Sequence, residues 1–477
     1  MPTPRSRWLA LAVLATSMLM TILDGSIVTV AMPTIQTDLG FSPTGLSWVV
    51  NAYLIAFGSL LLLAGRLGDL LGRKRLFLAG VAVFTAASLL AGAATTPAIL
   101  LLARFLQGVG AALATAVSLG ILVTLFTEPR DRGRAIAVFS FTGAAGASIG
   151  QVLGGILTDA LTWNWIFYIN LPIGLAALVL AGYAVPADRG VGLAAGADVP
   201  GAALVTAGLV TGILAVVTIE DAPSAVTLGL GGLAAALLVG FVARQATART
   251  PLMPLRIFRV RAVAGANLVQ VLLLAACFSF QVLVALYLQQ VLGYGATGTG
   301  LAMLPAALAI AVVSLGVSAR LNARFGERAV LLAGLVLLMG ALGLLARLPV
   351  RADYVTDLLP VMLLVAGFGL ALPALTALGM SGAKADDAGL ASGLFNTTQQ
   401  VGMALGVAVL ATLAAARTDR LRAAGVTEAA ALTEGYRLAF AVGTGLLVAA
   451  FVVAYLTLRQ PASVPDGPAR SAATASA

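Results

Sequence analysis

The strongest constraint on this 477-residue chain is a series of long apolar runs separated by short polar connections. A helix needs about 20 mostly apolar residues to cross a bilayer. Since lipid offers no partner for free backbone groups, such runs are helices and not strands. With that length we predict about fourteen spans. They cover residues 8–31, 46–64, 76–94, 98–126, 135–159, 166–185, 200–219, 225–243, 263–289, 298–319, 329–346, 357–380, 389–415 and 436–457.

Composition agrees with an all-α integral membrane protein. The chain is 60% hydrophobic and 10% charged, whereas soluble domains are about half apolar and a quarter charged. No soluble basic domain exists to hold nucleic acid, so the net charge of +9 belongs to the connections between spans. The chain has a single cysteine, Cys277, which excludes an intrachain disulfide.

Signatures of catalysis are missing from the sequence. Histidine is absent, so any proton carrier must be a carboxylate. The chain also lacks a Gly-x-x-x-x-Gly-Lys-Ser/Thr phosphate loop and a zinc-ligand set. We therefore predict a protein that is not an enzyme, that uses no cofactor or metal, and that draws energy from an ion gradient.

Positive charges predict the topology, because Lys and Arg stay on the cytoplasmic side. In the first half they collect in the even-numbered connections, as Arg66, Arg73, Lys74, Arg75, Arg130, Arg132 and Arg134 show. Arg417, Arg420 and Arg422 depart from this alternation. The first apolar run has no convincing cleavage site, so it is interpreted as a retained span. We predict a multi-pass protein of the bacterial inner membrane with both termini in the cytoplasm.

Two basic turns resemble each other, at residues 65–74 after the second span and at 319–328 after the tenth. A parallel duplication predicts such a pair. The expected organisation is a six-helix bundle at 1–186 and another at 263–458. Two additional spans with a cytoplasmic linker lie between them at 187–262, and a disordered cytoplasmic tail follows at 459–477.

Asp24 and Arg104 are charged residues inside predicted spans. A charge there costs roughly 2.5–3.5 kcal/mol on insertion scales, so it usually faces a cavity or a partner. The two residues lie at similar predicted depth, which makes an ion pair possible and predicts a proton-coupling role. Two alternatives stay open. Asp24 could be hydrated near the interface or cap a neighbouring helix, and Arg104 could be a structural brace.

The first basic turn is a candidate cytoplasmic gate built from Gly65, Gly68, Asp69, Gly72 and Arg73. The glycines permit a tight turn. Asp69 is expected to accept backbone N–H groups at the start of the third span. A charge lock that breaks on opening is one interpretation, and a plain positive-inside anchor is the other.

Span five carries a stripe of glycines, of which Gly146, Gly150, Gly154 and Gly155 are predicted to mediate close helix packing. Several amides lie within or near spans. Each could line a substrate cavity or form an interhelical hydrogen bond; the cavity candidates are Gln107, Gln151, Asn170, Gln281 and Asn396.

Four segments resemble motifs of the major facilitator superfamily, and within it of the fourteen-span drug:proton antiporters. They are residues 23–33 in span one, 65–75 after span two, 104–111 in span four and 163–174 at the entry to span six. Departures from the pattern are Thr29, where the family usually has Asn, Gln151, where its fifth-span motif has Pro, and Ala323 at the position equivalent to Asp69.

The resemblance implies proton-coupled export of a hydrophobic or cationic drug, or of an antibiotic, by alternating access. The expected partners are that small molecule, protons and the lipid bilayer, with no nucleic acid, and we expect a monomer. Uptake or proton-independent transport of a small metabolite is the alternative. A non-transporting membrane scaffold or sensor is a third interpretation.

Overall fold

The computed structural model describes residues 4–458 except 189, 191, 193–197, 218–223, 250, 253–254, 257–259 and 382–387. The described residues form α-helices joined by short turns, which confirms the predicted all-α fold. The predicted tail at 459–477 lies outside this range, as does part of the 187–262 linker.

The helices of the first half run back and forth across the molecule. They are α1 (Pro4–Leu39), α2 (Pro43–Leu46), α3 (Trp48–Leu71), α4 (Arg73–Gly92), α5 (Pro97–Leu125), α6 (Pro129–Ala160), α7 (Trp165–Tyr168) and α8 (Asn170–Ala184).

The second half repeats this order with more interruptions. Its helices are α11 (Arg261–Gln290), α12 (Ala296–Val312), α13 (Ser318–Phe325), α14 (Glu327–Leu345), α15 (Leu359–Leu364), α16 (Gly367–Ser381), α17 (Ala388–Ala423) and α18 (Glu428–Thr457). Two π-helical turns, Val313–Val317 and Tyr354–Leu358, break its second and fourth crossings.

Helices α9 (Val199–Val217) and α10 (Ser224–Thr247) lie between the halves in sequence and pack on each other. Asp198 joins them, because its carboxylate accepts from Arg244 Nε at 2.9 Å and Gln245 Nε2 at 2.7 Å. Burial alone would raise the pKa of Asp198, but these donors outweigh it and hold that pKa below its ordinary value. Helix α9 contacts α3 and α17, one helix from each half.

Eleven helices among the described residues are long and apolar enough to cross a membrane. Helix α3 is bent by 52° between its parts Trp48–Leu61 and Leu63–Leu71. If these two parts form one span, the count becomes twelve. Neither α6 nor α12 is among these twelve helices. They coincide with the fifth and the tenth predicted spans, and the regular α-helix of α12 is only 17 residues long. The chain is therefore a multi-pass membrane protein.

The two basic turns are tighter than the sequence suggested. Residues 65–71 continue α3 and residues 319–325 lie in α13, so a single glycine reverses the chain each time. Gly72 has φ +100° and Gly326 has φ +80°. Glycine lacks the Cβ that disfavours this left-handed backbone conformation. One residue therefore replaces the longer turn that we expected.

Helix contacts repeat between the halves. Helix α1 packs on α6 and α8 as α11 packs on α17 and α18, and α4 packs on α5 and α8 as α14 packs on α16 and α18. The same set of neighbours thus occurs in each half, and the parallel duplication itself stays a prediction.

In the described part of the chain, three hydrogen bonds join the halves directly, all at the end predicted to face outward. Gln289 Nε2 donates to Val30 O at 2.9 Å, and Gln290 Nε2 lies 3.5 Å from Gln36 Oε1. The backbone N–H of Thr297 donates to Asp159 Oδ2 at 2.7 Å. These bonds hold the halves together at the predicted outer face.

Candidate functional site

Helices α1 and α5 bring together the two charged residues that the sequence placed inside spans. Arg104 Nη1 donates to Asp24 Oδ2 in a salt bridge. Asp24 is 0% exposed and Arg104 is 1% exposed. A carboxylate this enclosed is not hydrated at an interface, so the structure contradicts that alternative for Asp24.

Asp24 accepts hydrogen bonds from two further helical positions. Gln107 Nε2 donates to its Oδ1 at 3.0 Å, and Asn170 Nδ2 donates to the same atom at 2.9 Å. Ser88 Oγ lies beneath both amides, 2.8 Å from Gln107 Nε2 and 3.4 Å from Asn170 Nδ2. We call these four residues and Arg104 the Asp24 network. It joins α1, α4, α5 and α8.

Arg104 is held on every side. Its Nε donates to Val49 O at 2.9 Å, and its Nη1 also donates to Gln107 Oε1 at 2.8 Å. The ring of Tyr53 lies 4.6 Å from its Cζ and that of Phe167 lies 5.8 Å away. Aromatic faces attract a guanidinium by about 0.5–2 kcal/mol depending on desolvation. The site therefore retains partial compensation for the arginine if its carboxylate partner is neutralised.

The first basic turn is held by an acid that the sequence did not single out. Asp188 follows α8, and its carboxylate accepts the backbone N–H of Arg73 at 2.7 Å and of Lys74 at 3.0 Å. Partial burial alone would raise the pKa of Asp188, but these two donors outweigh it and hold that pKa below its ordinary value. Asp188 therefore caps the first turn of α4.

Asp69 does not have this capping role, so that prediction is wrong. It lies within the last turn of α3, before the reversal at Gly72, and forms an exposed ion pair with Arg73 at 3.1 Å. Arg73 Nη1 also donates to Gly120 O of α5 at 3.3 Å. Gly65 and Gly68 belong to α3, where a methyl group at Gly68 would lie 2.3 Å from Val117 Cγ1. Gly68 thus permits α3 to contact α5.

The glycines of α6 pack against α1. A methyl group at Gly150 would lie 2.1 Å from Ser26 Oγ, and one at Gly154 would lie 2.7 Å from Ile27 O. At Gly146 the nearest neighbour is Ile22, at 3.2 Å. Gly155 faces the other half, where Ala296 O would be 2.6 Å away. The stripe therefore sets the distance between α6 and the helix that carries Asp24.

The remaining candidate residues lie apart from the Asp24 network. Gln151 is 6% exposed, and its backbone lies against Gly300 of the second half. Gln281 is partly buried on α11. Asn396 belongs to α17, but its side chain lies outside the described part. The structure thus places Gln107 and Asn170 in the network and leaves the cavity-lining role of all five amides a prediction.

Sequence reasoning missed Ser88, Tyr53 and Asp188. A serine or a tyrosine in a span is common, so neither residue type was a signal. Asp188 was detectable as a lone acid directly after span six, close to the predicted basic turn.

The chain is similar to known proteins in sequence. The model of the Major Facilitator Superfamily matches residues 14–407. The chain is 38% identical to the puromycin resistance protein pur8 of Streptomyces alboniger, over 98% of this chain and 94% of that protein. It is also 38% identical to the cephamycin export protein CmcT of Amycolatopsis lactamdurans, over 96% and 94% of the two chains.

A solved structure has the same fold. A bacterial homologue of the human lysosomal transporter Spinster, in an inward-facing and unoccupied conformation, superposes with a TM-score of 0.67. The alignment covers 96% of this chain and 98% of that one at 16% identity. That likeness shows the shared helical fold.

Proposed function

Because this chain belongs to the Major Facilitator Superfamily and is thus a transporter and not an enzyme, we propose that it exports drug-like molecules or antibiotics in exchange for protons. We also propose the fourteen-span organisation of the drug:proton antiporters, with α6 and α12 completing the count and both termini in the cytoplasm of a bacterial cell. A monomer is sufficient for this cycle, since both halves lie in one chain.

The observation that carries the proposal is the buried Asp24–Arg104 pair. Arginine keeps its charge, so a proton on Asp24 leaves Arg104 without its counterion. Breaking a buried ion pair on one side costs about 3–5 kcal/mol. Protonation therefore favours a different arrangement of α1 and α5, in which Arg104 reaches water. Release of the proton restores the pair.

The energy available is sufficient for active export. Inward proton movement supplies about 2.3 kcal/mol per 100 mV and about 1.4 kcal/mol per pH unit. One proton driven by 100 mV can thus sustain a substrate gradient of roughly fiftyfold. The hydrogen bonds between the halves at the predicted outer face support an alternating-access cycle, in which these bonds break when that face opens.

The names of two relatives support the substrate class. One is a puromycin resistance protein and the other exports a cephamycin. One name states resistance to an antibiotic and the other states export of one, which favours export over uptake. We therefore choose puromycin and ethidium as probes, one an antibiotic and the other a hydrophobic cation.

The test is efflux of both probes from cells and from proteoliposomes, with and without a proton uncoupler. Asp24→Asn at matched membrane levels should lower uphill export at least about tenfold, since it removes the titratable carboxylate. Asp38→Asn is the matched control on the same helix, because its amide oxygen can still accept from Trp163 Nε1.

Uphill export by Asp24→Asn at the parental rate would contradict the proposal. Export by the parent protein at an unchanged rate in the presence of the uncoupler would contradict it as well. Net uptake of the probes would favour the importer alternative. If Asp24→Asn inserts poorly, the Asp24→Asn/Arg104→Gln pair serves instead, because it leaves no unpaired charge.

A further inference from the structure

One acceptor in the Asp24 network has no partner. Asn170 is 0% exposed, and its Nδ2 donates to Asp24, but its Oδ1 has no hydrogen-bond partner. Buried polar atoms in proteins are almost always paired, so an unpaired one calls for an explanation. Two lone pairs on this oxygen are available to a donor.

Each described partner of Asp24 is a donor. Arg104 Nη1, Gln107 Nε2 and Asn170 Nδ2 all point an N–H group at the carboxylate. The arrangement suits an ionised Asp24. A proton on Asp24 would turn one of its oxygens into a donor that faces other donors.

The groups around Asp24 restrict where that new O–H can bond. Arg104 on α5 is the facing charge and has no acceptor atom. The Tyr53 hydroxyl on α3 already donates to Thr21 O at 3.2 Å. The carbonyl of Gln107 is occupied by Arg104 at 2.8 Å. Asn170 on α8 therefore holds the one free amide oxygen among the described partners of Asp24.

We propose that Asn170 is a positioning residue whose side-chain amide flips when Asp24 is protonated, so that its oxygen takes the place of its nitrogen. In the ionised state its Nδ2 donates to the carboxylate, and in the protonated state its Oδ1 accepts the carboxylic O–H. The proposal rests on the proposed proton coupling and names the residue that carries the protonation state to α8.

The flip of the Asn170 amide also changes the contacts between helices. With the amide reversed, Nδ2 no longer faces Ser88 Oγ, so the contact between α8 and α4 changes at the same time. Phe167, three residues before Asn170, places its ring against Arg104. A displacement of residues 167–170 would therefore move the Phe167 ring that contacts the Arg104 guanidinium. This would happen when protonation of Asp24 removes the counterion of Arg104.

Thr and Val at position 170 form a matched pair, because they share a shape and differ by one hydroxyl that can donate or accept. We expect Asn170→Val to lower uphill, proton-driven export of puromycin about tenfold, or about 1.4 kcal/mol. Asn170→Thr should retain most of it. Exchange of labelled puromycin at equal pH, with no gradient, should stay within about twofold in both variants.

The control is Asn164→Val, which removes an amide in the adjoining segment that donates to Gly92 O and does not touch Asp24. It should leave proton-driven export unchanged. Equal export by the Thr and Val variants would overturn the role of Asn170 while leaving proton coupling intact. Equal loss of export and of exchange in Asn170→Val would reduce Asn170 to a packing residue.

Infrared difference spectroscopy tests the flip of the Asn170 amide directly, with no transport assay. With asparagine labelled at its side-chain carbonyl, acidification should shift one labelled band in the parent and in Asn164→Val. The shift should be absent in Asn170→Val, and its absence from the parent would overturn the proposal. Parental export that is insensitive to an uncoupler would instead reject the proposed function, and the amide role with it.

Discussion

The two halves of this transporter share a scaffold but not its buried charges. In the first half, Asp24 and Arg104 form an ion pair with almost no exposure. In the second half, the counterparts of α1 and α5 lack charged residues: α11 has none from 262 to 290, and α15 and α16 have none from 359 to 381. One of its polar contacts between helices joins two neutral side chains, Gln270 Nε2 and Gln399 Oε1, at 3.3 Å. Of the ion pairs that the described residues form, the fully buried one, Asp24–Arg104, lies in the first half.

The scaffold features that the halves do share are those of helix packing. Gly146 and Gly150 let α6 approach α1, and Gly402 and Gly406 let α17 approach α11 in the same way. The close approach of these helices thus recurs in both halves, whereas among the described residues the fully buried ion pair lies in the first half.

The basic turns show a shared bond and a difference. In each, the second residue after the turn glycine donates to the last turn of the final helix of its half. Lys74 Nζ bonds Gly182 O at 2.8 Å, and Arg328 Nη2 bonds Tyr455 O at 2.6 Å. A cation suits the negative end of a helix dipole. Among the described residues, a carboxylate cap of this kind, from Asp188, occurs at the first turn and not at the second.

The largest expected effect is on the buried charges. Asp24→Asn or Arg104→Gln alone should lower the free energy of unfolding by about 3–5 kcal/mol, because each leaves a partner unpaired. The double variant should regain most of that loss. Gln270→Leu in the second half should cost only about 1 kcal/mol. Thermal unfolding in detergent measures all four, and additive single losses would contradict coupling between the two charges.

A smaller effect is expected at the packing glycines. Gly150→Ala and Gly406→Ala should each cost about 1–3 kcal/mol, since a methyl group would lie within 2.1 Å of Ser26 Oγ in one and 2.3 Å of Ala275 O in the other. Only Gly150→Ala should also lower proton-driven export, because Ser26 is two residues from Asp24. Gly445→Ala, with open space around it, is the control. Equal transport by both packing variants would contradict this distinction.

The smallest effect concerns the cap of the first turn. Asp188→Ala should lower the free energy of unfolding by about 0.5–1 kcal/mol at neutral pH. Since the folded-state pKa of Asp188 is lowered, its stabilisation is present above the ordinary value of about 3.9 and is lost as the pH falls through the lowered value. The free energies of unfolding of parent and variant should therefore begin to converge below about pH 4 and become equal only below the lowered pKa of Asp188. Glu327→Ala at the second basic turn should lower the free energy of unfolding by less than Asp188→Ala. An equal loss would contradict the difference in capping between the two basic turns.

Several features followed from sequence periodicity and polarity alone. Apolar length required membrane helices, since lipid leaves no other partner for the backbone. The rarity of charges within spans singled out Asp24 and Arg104, and the repeated basic turns indicated duplication. Glycines at spacings of four predicted the face of α6 that packs against another helix.

Other features depended on which helices meet. The sequence placed Asp24 and Arg104 at similar depth but did not determine their contact, nor that Gln107 and Asn170 would complete the carboxylate's partners. Asp188 replaced Asp69 as the cap because Asp69 stays within α3 while the chain after α8 returns to the turn. Periodicity determines which face of a helix is buried, whereas hydrogen-bond partners depend on the distances between helices that are remote in sequence. Tertiary packing alone set those distances.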